Sequence, residues 1–374
     1  MTNLPLPNTA PQSTTTRVGL VFGGRSGEHD VSIRSARTVA DALSRGDNRQ
    51  RYQVVLHYIT RGGRWLVGDG ATAALSGAIP TGSDHHLPRL PTTAHQVDVW
   101  FPVLHGPNGE DGTVQGLFTL LDQPFVGTGV LGGAVGMNKQ AMKAAFATAG
   151  LPQVSYVCAT ANRLAYTDEL VNNVEQHLGY PCFVKPTSLG SSLGISKAGD
   201  RGALLAGLQA AARLDDHLMV EAAVPARELE CAVLGYGHLD ASVVGEILYD
   251  AEWYDYTSKY SAGHSSLVIP ASVPQAIHDR VQRLAVQATQ AVGAYGLSRV
   301  DFFYQEDSQA LYVNEINTMP GFTSQSMYPL LWQASGVSVE ELVHRLIRLA
   351  QECHQGSPPH RTTNQPIQST ELSC

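Results

Sequence analysis

Two short runs near the C-terminus, RVDFFY (299–304) and ALYVNEIN (310–317), carry residue types suited to hard-cation chemistry. They read as strands joined by the turn QEDSQ, centred near Ser308, a register that sets Asp301 opposite Glu315 and Arg299 opposite Asn317. A side-chain period of two then puts all four on one face. Facing carboxylates repel, and the pair costs stability unless a cation lies between them. Oxygen donors at this spacing suit magnesium, which commonly takes one or two carboxylates together with substrate phosphates. The competing reading is a solvated polar sheet edge, which needs no ligand.

A second constellation is KPTSLGSSLG, Lys185 to Gly194, directly after an apolar run. Its glycines let backbone N–H groups converge on an anion, and its serines and the leading lysine add donors and charge, as a phosphate lid requires. An ordinary hairpin loop has the same composition. The sequence contains no Gly-Lys pair, which excludes a Walker loop, and GGRSG at Gly23 misses the dinucleotide fingerprint. The chain holds five lysines against 20 arginines, so lysine is not its routine solubilising residue. Lys139, Lys185 and Lys259 stand at a helix start, a strand end and an aromatic loop, where a compact charge could meet phosphate; Lys143 and Lys197 read as surface residues. Glu28 and His105 each follow an apolar run and could project from neighbouring strand ends into one cleft, although a lone residue of either type is more often structural. The long aromatic run from Tyr249 to His264 reads as a lid.

These groups need a scaffold of alternating elements. Apolar runs at Val18–Phe22 and Val54–Ile59 flank a helical pattern, and Trp100–Leu104, a helix over Thr113–Leu121 and Phe125-Val126 continue it, so an open parallel sheet is expected to end near residue 127. A helix from Asn138 to about Gly150, strands at Cys182–Lys185 and Leu218–Glu221 and a helix near 202–212 suggest a second unit. Beyond it, strands are expected at Glu228–Leu234, Leu239–Val244, Arg299–Tyr304 and Ala310–Ile316, with helices at Gln275–Val292 and Val339–Ala350. With 374 residues, 43% apolar and only 16% charged, the chain is a folded protein of two or three domains. A net charge of −8 without a basic run disfavours nucleic acid, and no apolar stretch is long enough for a membrane span. Five scattered cysteines without a C-x-x-C pair and a polar N-terminus without a signal-peptide pattern suggest the cytoplasm. The polar tails, residues 1–16 and 355–374, are expected to stay disordered.

Taken in order, GGRSGEHDVS, HGPNGEDGTVQG, MNK, VKPTSLGSSLG, YDYTSKY, SRVD and NEINTMPGFTSQS give residues 17–350 a resemblance to the D-alanine–D-alanine ligases of the ATP-grasp superfamily. That resemblance implies an α/β fold of three domains: an N-terminal open parallel sheet domain over 17–127, a central ATP-grasp domain over 128–227 and a C-terminal one over 228–354. It implies ATP, two magnesium ions (with manganese as a substitute), two D-alanine molecules per turnover and a homodimer, with the dipeptide serving peptidoglycan synthesis. Lys139, Lys185 and Ser192 would contact ATP, with Lys259 near its γ-phosphate, Glu221 and Ala222 at the adenine edge and Glu228 at the ribose. Asp301, Glu315 and Asn317 match the metal ligands. Glu28 would bind the first D-alanine's ammonium, His105 would lie near its carboxylate and Ser326 would hold the second one's carboxylate. Glu28, Ser191 and Tyr260 match a hydrogen-bonded triad, and Arg299 and the Gly321 N–H would stabilise an oxyanion. Thr187-Ser188 departs from the usual pair in the loop without removing a ligand. Two rivals are a D-alanine–D-lactate ligase, against which Tyr260 argues, and a nucleotide-binding scaffold without turnover, against which the complete set of site residues argues.

Overall fold

The computed structural model describes residues 15–78, 89–162, 167–190, 193–249 and 265–356. Its three sheets follow from three kinds of sequence. The first, ordered β3-β2-β1-β4, is built from β1 (Thr16–Gly23), β2 (Tyr52–Ile59), β3 (Trp65–Leu66) and β4 (Val99–Pro102). β1 runs parallel to both β2 and β4, as its β-α-β pattern dictates, and Phe125 adds a parallel bridge to Trp100. The antiparallel edge strand β3 was not expected; the tight turn closed by Gly63 N–H to Thr60 C=O folds it back onto β2. Val18, Leu20 and Phe22 of β1 enter one core while Val21 enters another with Trp100 and Phe118, so helices cover both faces.

The second sheet is antiparallel, ordered β5-β8-β6-β7, from β5 (Tyr156–Thr160), β6 (Cys182–Pro186), β7 (Ser196–Ala198) and β8 (His217–Ala222). Helices Thr167–His177 and Arg201–Ala211 close its core. The third, ordered β11-β10-β9-β12-β13, comprises β9 (Arg227–Tyr236), β10 (His238–Tyr249), β11 (Ser265–Val268), β12 (Gly296–Gln305) and β13 (Ala310–Asn317). Helix Gln275–Ala291 packs on one of its faces together with Met142 and Phe146. The other face merges with the first sheet in one continuous core, through Phe322, Tyr328, Trp332 and helix Val339–Gly356.

Two boundaries and the placement of one lysine differ from expectation. β1 begins at Thr16, inside the expected N-terminal tail, and the last helix runs on to Gly356, through Gln355, although its buried stripe of Leu342, Val343, Leu346, Ile347 and Ala350 ends about a turn and a half earlier. Lys143 lies in helix Lys139–Thr148 and its side chain is buried, not at the surface; Lys197 is exposed as expected. The reason is that the helix turns one face toward β5 and β8, where Glu221 is waiting.

Candidate active site

The register argument for β12 and β13 holds at its functional end: Arg299 pairs with Asn317 and Asp301 with Glu315. Beyond that end the pairing slips by one residue, with Phe302 opposite Val313, so Asn314 forms a bulge. The bulge matters. Leu311 and Val313 point into the core, and strict alternation would have sent Glu315 after them; the extra residue buries Ile316 instead and returns Glu315 to the face of Asp301.

Arg299 organises this end of the sheet. Its Nε and Nη2 each donate to an Asp301 carboxylate oxygen at 2.7 Å, and its Nε stands 3.0 Å from Glu230 on the adjacent strand β9. Burial works against its charge, but Asp301 and Glu230 hold the guanidinium well above its ordinary pKa. Glu230 lies opposite Asp301 in the β9–β12 ladder and was missed in the sequence, because that pairing joins segments about 70 residues apart and leaves no local signal. Glu315 keeps about a third of its side chain exposed and lies 3.9 Å from Lys139 Nζ. Two carboxylates and an amide oxygen at one sheet end are hard donors that fit magnesium. Among the described residues no group of three His, Cys, Asp or Glu side chains could by itself hold a metal, so a cation bound here would complete its shell with oxygens from outside that set.

Lys139 opens its helix, capped by the Asn138 side chain accepting from Ala141 N–H, and its Nζ donates to Leu189 C=O at 2.7 Å. This ties the helix start to the Gly/Ser loop. Asp215, also missed, fastens the loop's base by accepting from Ser188 N–H at 2.7 Å, His217 N–H at 2.9 Å and the Thr187 hydroxyl at 3.3 Å. Partial burial opposes its ionisation, yet these bonds hold its carboxyl below the ordinary range. At Gly190 an added Cβ would sit 3.2 Å from Glu28 Oε1, so the loop backbone approaches Glu28 closely.

Glu221 on β8 lies between two lysines, with Lys185 Nζ donating to Oε2 and Lys143 Nζ 2.6 Å from Oε1. Burial disfavours its charge, but Lys185 and Lys143 hold its carboxyl at about 2. Burial would lower Lys185, whereas Glu221, with Glu315 and Glu228 beyond, raises it. Ala222 follows at the strand end, its N–H bonded to Ser155 C=O.

At the opposite wall, β1 and β4 deliver Glu28 and His105. Ser26 joins them: its hydroxyl donates to His105 C=O at 2.6 Å and accepts from Glu28 N–H at 3.1 Å. His105 is buried, with Nδ1 bonded to Met319 C=O at 3.0 Å and Nε2 at 2.9 Å from the Ser35 hydroxyl. Burial would push its imidazole down, but Glu110, 3.6 Å away, and Glu28 keep it above the ordinary histidine value. Ser35 also accepts from Phe322 N–H at 3.1 Å, linking His105 to the loop after β13. In that loop Ser326 Oγ accepts from Thr323 N–H at 3.0 Å, and a Cβ on Gly321 would come within 2.9 Å of it, so only glycine leaves that space open.

A cleft of about 1020 Å³ joins these walls. Its described lining brings together Glu28, His105, Lys139, Arg299, Glu315, Asn317, Gly321 and Ser326. Asp301 stands behind Arg299, and Lys185, Glu221, Ala222 and Glu228 fall outside that lining. Ser191, Ser192, Lys259, Tyr260 and the expected lid over 250–264 lie outside the described residues.

Comparison with known proteins shows the family and the fold. Residues 17–128 match the family described as D-ala D-ala ligase N-terminus, and residues 145–348 the D-ala D-ala ligase C-terminus. The D-alanine--D-alanine ligase of Synechococcus sp. (strain RCC307) is 60% identical over 337 residues, 89% of this chain and 98% of its own. That of Parasynechococcus marenigrum (strain WH8102) is 57% identical over 350 residues, 90% of this chain and 99% of its own. Among solved structures, the VanG D-Ala:D-Ser ligase from Enterococcus faecalis superposes with a TM-score of 0.79 at 33% identity, covering 90% of this chain and 99% of that one. The D-alanine-D-alanine ligase from Coxiella burnetii gives 0.75 at 31% identity, covering 91% and 96%. The fold is the α/β ATP-grasp fold, and the chain belongs to the D-alanine–D-alanine ligase family.

Proposed function

We propose that this protein joins two D-alanine molecules into D-alanyl-D-alanine, driven by cleavage of ATP to ADP and phosphate, supplying peptidoglycan precursors. The observation that carries this reading is one cleft lined by Arg299, Glu315 and Asn317 at one wall, with Asp301 behind Arg299, and by Glu28 with His105 at the other. A carboxylate is a poor electrophile, and phosphorylation makes it a good one. Glu28 offers a negative partner for the first substrate's ammonium, and His105, held toward its charged form, a positive one for the carboxylate. Lys139 and Lys185 would hold the nucleotide's phosphates, Glu221 and Ala222 would meet the adenine and Glu228 the ribose. Asp301, Glu315 and Asn317 would hold two magnesium ions, which when bound neutralise phosphate charge. Attack of the first carboxylate on the γ-phosphorus expels ADP and gives an acyl phosphate; the second D-alanine's amine, in its unprotonated form, adds to the acyl carbon and, with loss of a further proton, phosphate leaves as the amide forms. Arg299 and the Gly321 N–H serve as donors to the oxyanion, and Ser326 to the second carboxylate.

In this reading the three sheets correspond to units spanning 17–127, 128–227 and 228–354, with the cleft among them. The protein works in the cytoplasm as a homodimer; free Cys158, Cys182, Cys231 and Cys353 suit a reducing compartment. Among the described residues no helix is long and apolar enough to cross a membrane. The test is phosphate release from ATP and magnesium with D-alanine, D-serine or D-lactate as acceptor, and mass analysis of the product. D-alanine-dependent phosphate with the dipeptide as main product is expected. Phosphate release that ignores D-alanine would overturn the ligase reading, and a D-serine or D-lactate product favoured over the dipeptide would overturn the choice of acceptor.

A further inference from the structure

Lys143 belongs to the buried charge cluster around Glu221, and the mechanism above gives it no task. Its side chain and that of Glu221 are each only 2% exposed, and they stand 2.6 Å apart. Among the described residues Glu221 is the only carboxylate within ion-pair distance of Lys143; the Tyr156 ring lies 5.8 Å off. Lys185, by contrast, reaches the same carboxylate from the other side and keeps 12% of its side chain exposed. One buried carboxylate thus has two lysines, one enclosed and one partly exposed.

We infer that Lys143 is a positioning residue for nucleotide binding: by serving as the permanent counter-ion of Glu221, it releases Lys185 to engage the nucleotide's phosphates. The inference rests on the nucleotide-site reading given above, in which Lys185 meets phosphate and Glu221 the adenine edge. An arriving phosphate competes with Glu221 for Lys185. If Glu221 depended on Lys185 alone, phosphate binding would strand a buried, unpaired carboxylate, a state that is strongly penalised. With Lys143 in place, Lys143 and Glu221 form a neutral pair and Lys185 contributes one net positive charge to an anionic ligand. Lys143 itself need not touch the nucleotide.

The experiment is isothermal titration of the full chain with ADP and with adenosine, for the unaltered protein, Lys143→Met, Glu221→Gln and the double variant. Lys143→Met is expected to weaken ADP about tenfold or more, and adenosine, which has no phosphate, by no more than about twofold. Once Glu221 is neutral, Lys143 has nothing left to compensate, so the double variant should bind ADP within about twofold of Glu221→Gln alone. Equal weakening of ADP and adenosine by Lys143→Met would overturn the inference in favour of a general packing role. So would a double variant about tenfold weaker than Glu221→Gln. Should Lys143→Met fail to fold, the comparison of the double variant with Glu221→Gln decides by the same criterion. Absence of ADP binding by the unaltered protein would overturn the nucleotide-site reading itself, and the inference with it.

Discussion

Arg299 shows how a residue's neighbours decide its use. With Asp301 forked across its guanidinium and Glu230 against its Nε, it is pinned at the sheet end and presents a fixed charge to the cleft. In the proposed site Asp301 would have two duties, orienting Arg299 and offering oxygen to a cation, while Glu315, 3.9 Å from Lys139 Nζ, would share the second. Glu315→Gln and Asp301→Asn should each lower kcat about a hundredfold or more while the urea midpoint of unfolding stays close to the parent's, since both variants retain an acceptor oxygen. Steady-state kinetics beside a urea titration checks this, and a kcat within about threefold of the parent in either variant would contradict the metal assignment. At this scale the sequence is legible where chemistry and spacing coincide, as for Asp301 and Glu315. Lys143 had a signal that a surface reading overlooked, since it lies four residues after Lys139 and so on the same helix face. Glu230 had none, because its meaning depends on a pairing with β12 that no local pattern specifies.

Elements place these residues through a few specific bonds. The bulge at Asn314 corrects a register that the turn alone would have set one residue off, and the sequence of β13 shows it only in hindsight, as a break in the alternation of Leu311, Val313 and Ile316. The longer strands and most long helices were legible because their apolar periods are strong, whereas β5, β7, β11 and helix Thr167–His177 went unread. The two-residue β3 and the short helices Asp69–Ser76, Val130–Met137 and Met327–Ala334 were not legible either, being too brief for a period to emerge. Asp215 holds the base of the Gly/Ser loop against the end of β8. Asp215→Ala leaves two backbone N–H donors without their partner and should cost about 1–3 kcal/mol of stability. Because it loosens the loop rather than the reacting groups, it should raise the KM for ATP several-fold and change kcat less. Urea unfolding and ATP-dependent kinetics measure both effects; an unchanged KM would show that the loop's base does not govern nucleotide binding.

For the whole molecule, the first and third sheets share one core, so the wall carrying Glu28 and His105 is rigidly related to the wall carrying Arg299 and Glu315. Buried charge in the Lys143–Glu221–Lys185 cluster couples this architecture to pH. Glu221's carboxyl lies at about 2 in the folded protein against an ordinary 4.5, so its contribution is complete above pH 4.5 and is lost as pH falls toward 2. That contribution is worth up to about 3 kcal/mol, and urea titrations across this window should show stability falling in the parent and falling less steeply in Glu221→Gln. Equal slopes would mean that the cluster does not govern acid stability. The central claim, that the cleft activates a D-alanine carboxylate by phosphorylation, leaves a mark on the oxygen atoms. Turnover with D-alanine labelled with oxygen-18 in its carboxylate should deliver one labelled oxygen into each phosphate released, because the acyl C–O bond is the one broken. Phosphate carrying no label, alongside dipeptide formation, would contradict the account.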